Sequence, residues 1–305
     1  MSADSLLRDN ADALGAAMAD AVIVTEAALD ELLGQPEGAE GRLIESMRYA
    51  SLNGGKRLRG FLVLEIASLF DVPRPRAARV AASVEMLHAY SLVHDDLPAM
   101  DDDDLRRGKP STHMAFDEAT AILAGDALQA RAFEVLAAEG THPDPLARCE
   151  LVAALGAASG ARGMAGGQMI DMAAEGRTLS EAEVERLQAL KTGRLIQYSA
   201  EAGAILGRAS PSARSKIAAY GRDLGTAFQI ADDVLDAAGD TAAIGKTAGK
   251  DAAAGKATLV ALLGLEGATA RARALSDEAI SHLDMFGARA ARLKDLAAYV
   301  VSRGY

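Results

Sequence analysis

What most narrows the fold of this chain is how seldom anything interrupts it. Turn-forming stretches fall at residues 34–38, 73–75, 140–145, 176–178, 207–211 and 239–255, and only 8 Pro occur among 305 residues. The runs between them are roughly 20–30 residues, long enough for helices that cross a whole domain. Apolar residues recur in them at helical spacing, as in Leu43, Met47, Ala50 and then Leu58, Leu62, Ile66, Leu69. Short alternating runs of β-branched residues between turn signals are essentially missing. Ser180-Glu181-Ala182-Glu183 has the spacing of a capping signal, which predicts a helix starting near Glu181. No polar linker is long enough to separate two cores, and a chain that is 50% hydrophobic can fill one large core. The expectation is a single all-α domain over residues 1–305.

Two segments, 77–93 and 220–238, are apolar nearly all round, which places them inside a bundle rather than on its surface. Both carry carboxylates. The first ends in His94-Asp95-Asp96-Leu97-Pro98-Ala99-Met100-Asp101-Asp102-Asp103-Asp104, six carboxylates within ten residues, followed by Leu105-Arg106-Arg107-Gly108-Lys109. An isolated acidic run is usually a solvated helix end. This one directly follows an apolar helix, and Pro98 forces a kink or stop there. On an unbroken helix Asp95 and Asp101 would lie roughly 120° apart around the axis; a break at Pro98 can bring them back to one face.

The second segment contains Gln229-Ile230-Ala231-Asp232-Asp233-Val234-Leu235-Asp236. Asp232 and Asp236 are four residues apart and point the same way on a helix. Like charges so placed destabilise by roughly 0.2–0.5 kcal/mol, and by more when buried. Two such carboxylate pairs inside apolar helices point to a shared Mg²⁺ site, because this hard ion takes carboxylates, waters and substrate phosphates together. The substrate is then an anion, and cations must complete its neutralisation.

Those cations occur in compact groups: Gly54-Gly55-Lys56-Arg57-Leu58-Arg59, Arg106-Arg107, Lys191-Thr192-Gly193-Arg194, and Lys246, Lys250 and Lys256. Any one group can be read as a solvated helix end. In a chain of net charge −11 they nevertheless stand out, and Arg forks match phosphate oxygens well. Gly245-Lys246-Thr247 imitates the end of a phosphate-binding P-loop, but Gly239 leaves five intervening residues rather than four and no strand precedes it. Residues 239–256 read instead as a Gly/Lys segment able to close over phosphates. The stretch 163–168 with Asp171 reads equally as a close helix contact or a polar site.

The acidic balance argues against nucleic acid as a partner, which clustered Lys and Arg would serve. One cysteine, Cys149, makes neither an internal disulfide nor a Cys-based zinc site and suits a reducing compartment. The first ten residues show no secretory signal, and no apolar run approaches the ~20 residues of a membrane-spanning helix. The expectation is a cytoplasmic protein.

Taken in order, residues 54–59, His88, the 95–104 run with Arg106-Arg107, Gly166-Gly167-Gln168-Met169-Ile170-Asp171, Lys191-Thr192 and residues 229–236 resemble the motifs of trans-isoprenyl diphosphate synthases, farnesyl-type bacterial members most of all. The resemblance covers nearly the whole chain. It implies a helical bundle around a deep central cavity, built as a homodimer. It further implies that Asp95 and Asp101 bind two Mg²⁺ ions gripping an allylic diphosphate, and that Asp232 binds a third, supported by Asp233 and Asp236. Arg106, Lys191 and Lys246 then hold the allylic diphosphate. Lys56, Arg59, His88 and Arg107 hold isopentenyl diphosphate, while Thr192 and Gln229 face the developing allylic cation and Lys256 helps close the site. Gly60 departs from relatives that often carry Pro, a difference expected to touch helix entry rather than chemistry.

The implied reaction joins isopentenyl diphosphate to dimethylallyl and then geranyl diphosphate, giving (2E,6E)-farnesyl diphosphate without a protein base. Tyr90, five residues before Asp95 and just over one helical turn below it, is expected to floor the cavity at that length, with Ser91 beside it. His94 reads as a core histidine. The rivals are a geranylgeranyl diphosphate synthase with a deeper cavity, a terpene cyclase, disfavoured by 4% aromatic residues, and a non-catalytic partner subunit. The last would be expected to have lost part of an acidic motif, yet Asp95, Asp101, Asp232 and Asp236 are all present.

Overall fold

The computed structural model describes residues 3–174, 177, 179–238 and 258–302. Helices α1 (Ala3–Leu33), α2 (Gly41–Ser51), α3 (Leu58–Leu69) and α4 (Arg74–Asp95) lead to a minimal hairpin of β1 (Leu105–Arg106) and β2 (Lys109–Pro110). Then follow α5 (Thr112–Ala115), α6 (Glu118–Ala137), α7 (Pro145–Ser159), α8 (Met164–Ala173) and α9 (Glu181–Gln188). A single π-helical turn, Ala189–Gly193, joins α9 to α10 (Arg194–Leu206), and α11 (Pro211–Ala238) follows. Beyond the second gap lie α12 (Leu259–His282), a 3₁₀ turn (Asp284–Ala290) and α13 (Ala291–Ser302). The fold is all-α, as the breaker spacing predicts.

Local chemistry sets the helix starts. Asp117 accepts the Thr120 N–H at 2.8 Å at the head of α6, and Asp144 accepts that of Leu146 at 2.9 Å, just before Pro145 opens α7. Ser180 and Glu183 form the expected capping box. Several helices are shorter than the breaker spacing suggests. Gly54 and Gly55, both at positive φ, divide α2 from α3, and Gly160 and Gly163 divide α7 from α8. These glycines lie inside motifs or between small residues, where they did not register as punctuation.

At the centre of the bundle runs α4, buried on most of its circumference from Ala77 to Val93 and packed by α1, α3, α6 and α10. On the other side α11 lies against α10, α12 and the π turn. The two apolar-all-round segments are thus the two inner helices, and their carboxylate ends frame the site. No helix among the described residues is long and apolar enough to cross a membrane.

Candidate active site

Asp95 is the last residue of α4, after which the chain wraps back on itself. The Asp101 N–H donates to the Asp95 carbonyl at 2.8 Å, that of Asp102 to Leu97 at 3.2 Å and that of Asp103 to Asp96 at 3.2 Å. The turn around Pro98 therefore returns Asp101 to Asp95. Burial pushes the Asp95 carboxyl up to about 6; Asp101 pushes the same way, while Lys191 and Arg106 oppose it. A half-buried Asp95 with the exposed Asp101 held beside it is a donor set that Mg²⁺ fits, since it takes one or two carboxylates and fills its shell with water and phosphate oxygens. Among the described residues no three carboxylate, His or Cys side chains converge on one point.

The β1–β2 hairpin exists to aim two arginines. Arg106 is turned onto Asp96, which is buried, with a bidentate contact through Nε at 3.0 and 3.2 Å and a further bond from Nη2; Asp103 lies 3.7 Å away. Burial pulls its guanidinium down, but the Asp96 hydrogen bonds and charge outweigh this and raise it. An anion drawn to Arg106 would have to share it with Asp96. Sequence reasoning gave Asp96 no role, although a buried carboxylate in that run needs a cation.

Arg107, at positive φ, reaches back to donate to the Gly54 carbonyl. Its guanidinium lies 2.8 Å from where a Cβ on Gly55 would stand, so only glycine admits it. Around it gather Arg57, Arg59 and His88. Arg57 is buried and bonds to Glu26 at 3.1 Å and to the Ser51 carbonyl at 2.6 Å, with Glu85 at 3.6 Å. Arg59 is half-buried, its Nε is buried without a hydrogen-bond partner, and burial lowers its guanidinium, with Glu85 opposing and Arg107 assisting. Burial and then Arg59, Arg107, Arg57 and Arg106 push His88 well below its ordinary value, so it is neutral at pH 7. Lys56 is exposed at the edge.

Glu85, the one carboxylate on the central helix before Asp95, underpins this corner. It accepts the Gly60 N–H at 3.0 Å, and a Cβ on Gly60 would meet the Thr25 hydroxyl at 2.7 Å. Gly60 is therefore more than a helix-entry residue: a proline there would remove the N–H that anchors Glu85 beside Arg57.

Opposite lies the α9–π–α11 wall. The wide turn is the kind of helix defect that re-aims side chains. It projects Lys191 to Asp171 on α8 (2.5 Å) and Thr192 to Gln229 on α11, with the Thr192 hydroxyl donating to Gln229 Oε1 at 2.8 Å. Gln229 Nε2 donates to Asp233 Oδ1 at 2.9 Å, and Gln188 Nε2 donates to Asp233 Oδ2 at 2.6 Å. Close approach makes this possible: Gly193 and Gly225 face each other, with 3.1 Å between the Gly193 Cα and a Cβ added to Gly225. Asp171 is thus the partner of Lys191 as well as lying beside a close contact, and Gln188 and Asp233 belong to the same hydrogen-bonded wall. The π turn itself had no sequence signal. Asp232 on α11 lies within electrostatic reach of Arg59 on α3 and favours its charged form. Asp236, one helical turn beyond Asp232, is half-buried. Lys246, Lys250 and Lys256 lie outside the described residues.

Tyr90 reaches toward α6 and lies within electrostatic reach of Asp95. Its ring meets that of His94 edge-on at 5.5 Å, and its hydroxyl bonds to the Gln129 side chain; burial, then Asp95, push its pKa above the ordinary tyrosine value. Ser91 donates to the His88 carbonyl at 2.9 Å. His94 contacts the Ile122 carbonyl at 3.1 Å and fills the slot left by Gly125, a packing role.

A family model described as polyprenyl synthetase matches residues 40–295. The chain is 45% identical over 266 residues to the farnesyl diphosphate synthase of Escherichia coli, covering 86% of this chain and 89% of that protein. It is 41% identical over 277 residues to the farnesyl diphosphate synthase of Geobacillus stearothermophilus, covering 90% and 93%. The crystal structure of an FPP/GFPP synthase from Zymomonas mobilis superposes with a TM-score of 0.88 at 49% identity, covering 95% of this chain and 99% of that one.

Proposed function

This chain belongs to the polyprenyl synthetase family, and we propose that it condenses isopentenyl diphosphate head-to-tail with dimethylallyl and then geranyl diphosphate to make (2E,6E)-farnesyl diphosphate. One observation carries the reading. A buried Asp95 with Asp101 held beside it, and a corner where Arg57, Arg59, Arg106 and Arg107 all bear on His88, each concentrate like charge that a metal-bound and a free diphosphate would balance.

Lys56, Arg59, Arg107 and neutral His88 hold the diphosphate of the isopentenyl substrate. Lys191 and Arg106, with Lys246, hold that of the allylic substrate, and Lys256 helps close the site. Asp95, Asp101, Asp232 and Asp236 would hold Mg²⁺, three ions per site, whose positive charge would stabilise the departing diphosphate. The allylic C–O bond breaks with its electron pair leaving on diphosphate. Thr192 and Gln229 present oxygen to the carbon left electron-poor. The isopentenyl double bond then forms the new C–C bond, and the proton released passes to the diphosphate, so no protein base is needed. Tyr90 and Ser91 limit chain length from the α6 side. Exposed Met114, Ile122 and Leu123 fit a homodimer face, and exposed, unpaired Cys149 fits the cytoplasm.

Mass spectrometry of products from dimethylallyl and isopentenyl diphosphates, with and without Mg²⁺, tests the proposal. Mg²⁺-dependent farnesyl diphosphate is expected. A geranylgeranyl product would keep the chemistry and overturn the chain length. No product from folded protein would favour a non-catalytic partner.

A further inference from the structure

The amide of Gln229 has two ends that only its partners can distinguish. A carboxylate offers acceptors, so Asp233 draws the NH₂ end to itself and leaves the carbonyl facing Thr192. The Thr192 hydroxyl must then donate to Gln229, which points its proton away and leaves its remaining lone pair for the site. Direction in this chain of hydrogen bonds is thus set from its far end. At that end Gln188, buried at the foot of α9, donates to the second oxygen of Asp233 at 2.6 Å. Its own Oε1 is buried with no partner among the described residues. An amide that tolerates an orphaned carbonyl in such a place is retained for its donor end.

We infer that Gln188 is a positioning residue for the reaction: through Asp233 it fixes the Gln229 amide and hence the orientation of the Thr192 hydroxyl toward the allylic carbon. The inference rests on the reading of Thr192 given above. Gln188 lies immediately before the π turn, so one short segment supplies both the anchor and the group it orients. Without its N–H, Asp233 Oδ2 loses a buried donor, and the hold of the carboxylate on the Gln229 amide is less well directed.

The test is kinetic, on the full-length enzyme with both diphosphate substrates and Mg²⁺. Gln188→Met keeps length and volume and removes the donor. It is expected to lower kcat about 10–100-fold, the usual effect of losing such a support, while the KM values for both substrates and the Mg²⁺ dependence stay within about twofold. Gln188→His, which restores an N–H, is expected to recover part of kcat. Combined with Thr192→Val, Gln188→Met should lower kcat no further, because both act through one hydroxyl. A multiplicative loss in the double variant, or a loss confined to KM, overturns the positioning role while the cation-facing reading stands. An unchanged kcat in Thr192→Val alone overturns both. Melting curves confirm folding, and Gln188→Leu takes the place of Gln188→Met if that variant is unfolded.

Discussion

The two sides of the site are built on opposite principles. On the α9–π–α11 side the key polar groups are paired, the Gln188 Oε1 apart: Lys191 has Asp171, Thr192 has Gln229, and Asp233 takes both glutamine amides. On the α3–α4–hairpin side like charges are crowded: Asp95 against Asp101, Arg59 against Arg107, and Arg107 against Arg57, with the Arg59 Nε unbonded. A satisfied buried network rigidifies a structure. A crowded one stores repulsion that a ligand of opposite charge relieves. The difference teaches which side shapes the site and which side is completed by what binds.

The same substitution should therefore have opposite effects on stability at the two sites. The largest effect is expected for Asp95→Asn. Turnover should fall on the order of 10³-fold, as for losing a main electrostatic contact. The ligand-free variant should nevertheless be more stable at pH 7, by about 1–3 kcal/mol, because a desolvated charge is gone. The pH sign follows from the raised native value: wild-type Asp95 takes up its proton as pH falls through about 6, whereas the unfolded chain does so only near 3.8. Wild-type stability from this group thus grows on acidification across that window and is lost as pH rises through about 6. The advantage of the variant should shrink accordingly, which melting curves at pH 7 and pH 5 would show.

Next, Arg59→Met should raise the KM for isopentenyl diphosphate about 10–100-fold, the worth of a charge-assisted hydrogen bond, with no fall in melting temperature. A lowered melting temperature would mean the cationic corner is a structural network after all. Asp233→Asn, by contrast, should destabilise by about 1–3 kcal/mol in denaturant titrations, since an NH₂ group would face a glutamine NH₂ in a buried place. The smallest energetic effect is expected for Tyr90→Ala. It should lengthen the product, read by mass spectrometry, and an unchanged product would move the floor of the cavity elsewhere.

The bundle was legible because residues 77–93 and 220–238 are apolar all round, and only inner helices can be. The return of Asp101 to Asp95 was legible from Pro98. The role of Asp96 was hidden because, within a run of six carboxylates, nothing local marks the one that a distant arginine buries. Glu85 offered a usable signal, a single carboxylate in an otherwise apolar stretch. Gln188 offered none: its role depends on a π turn created by packing against glycines on other helices, and no local pattern encodes that.

Calorimetric titration of inorganic diphosphate into the protein, with and without Mg²⁺, tests the contrast between the two sides most directly. Metal-free protein should bind diphosphate at the cationic corner, and this binding should vanish in Arg59→Met but persist in Asp95→Asn. Mg²⁺ should add a second binding event that Asp95→Asn abolishes. Metal-free protein that binds no diphosphate, or an Asp95→Asn variant that keeps the Mg²⁺-dependent event, would contradict the account.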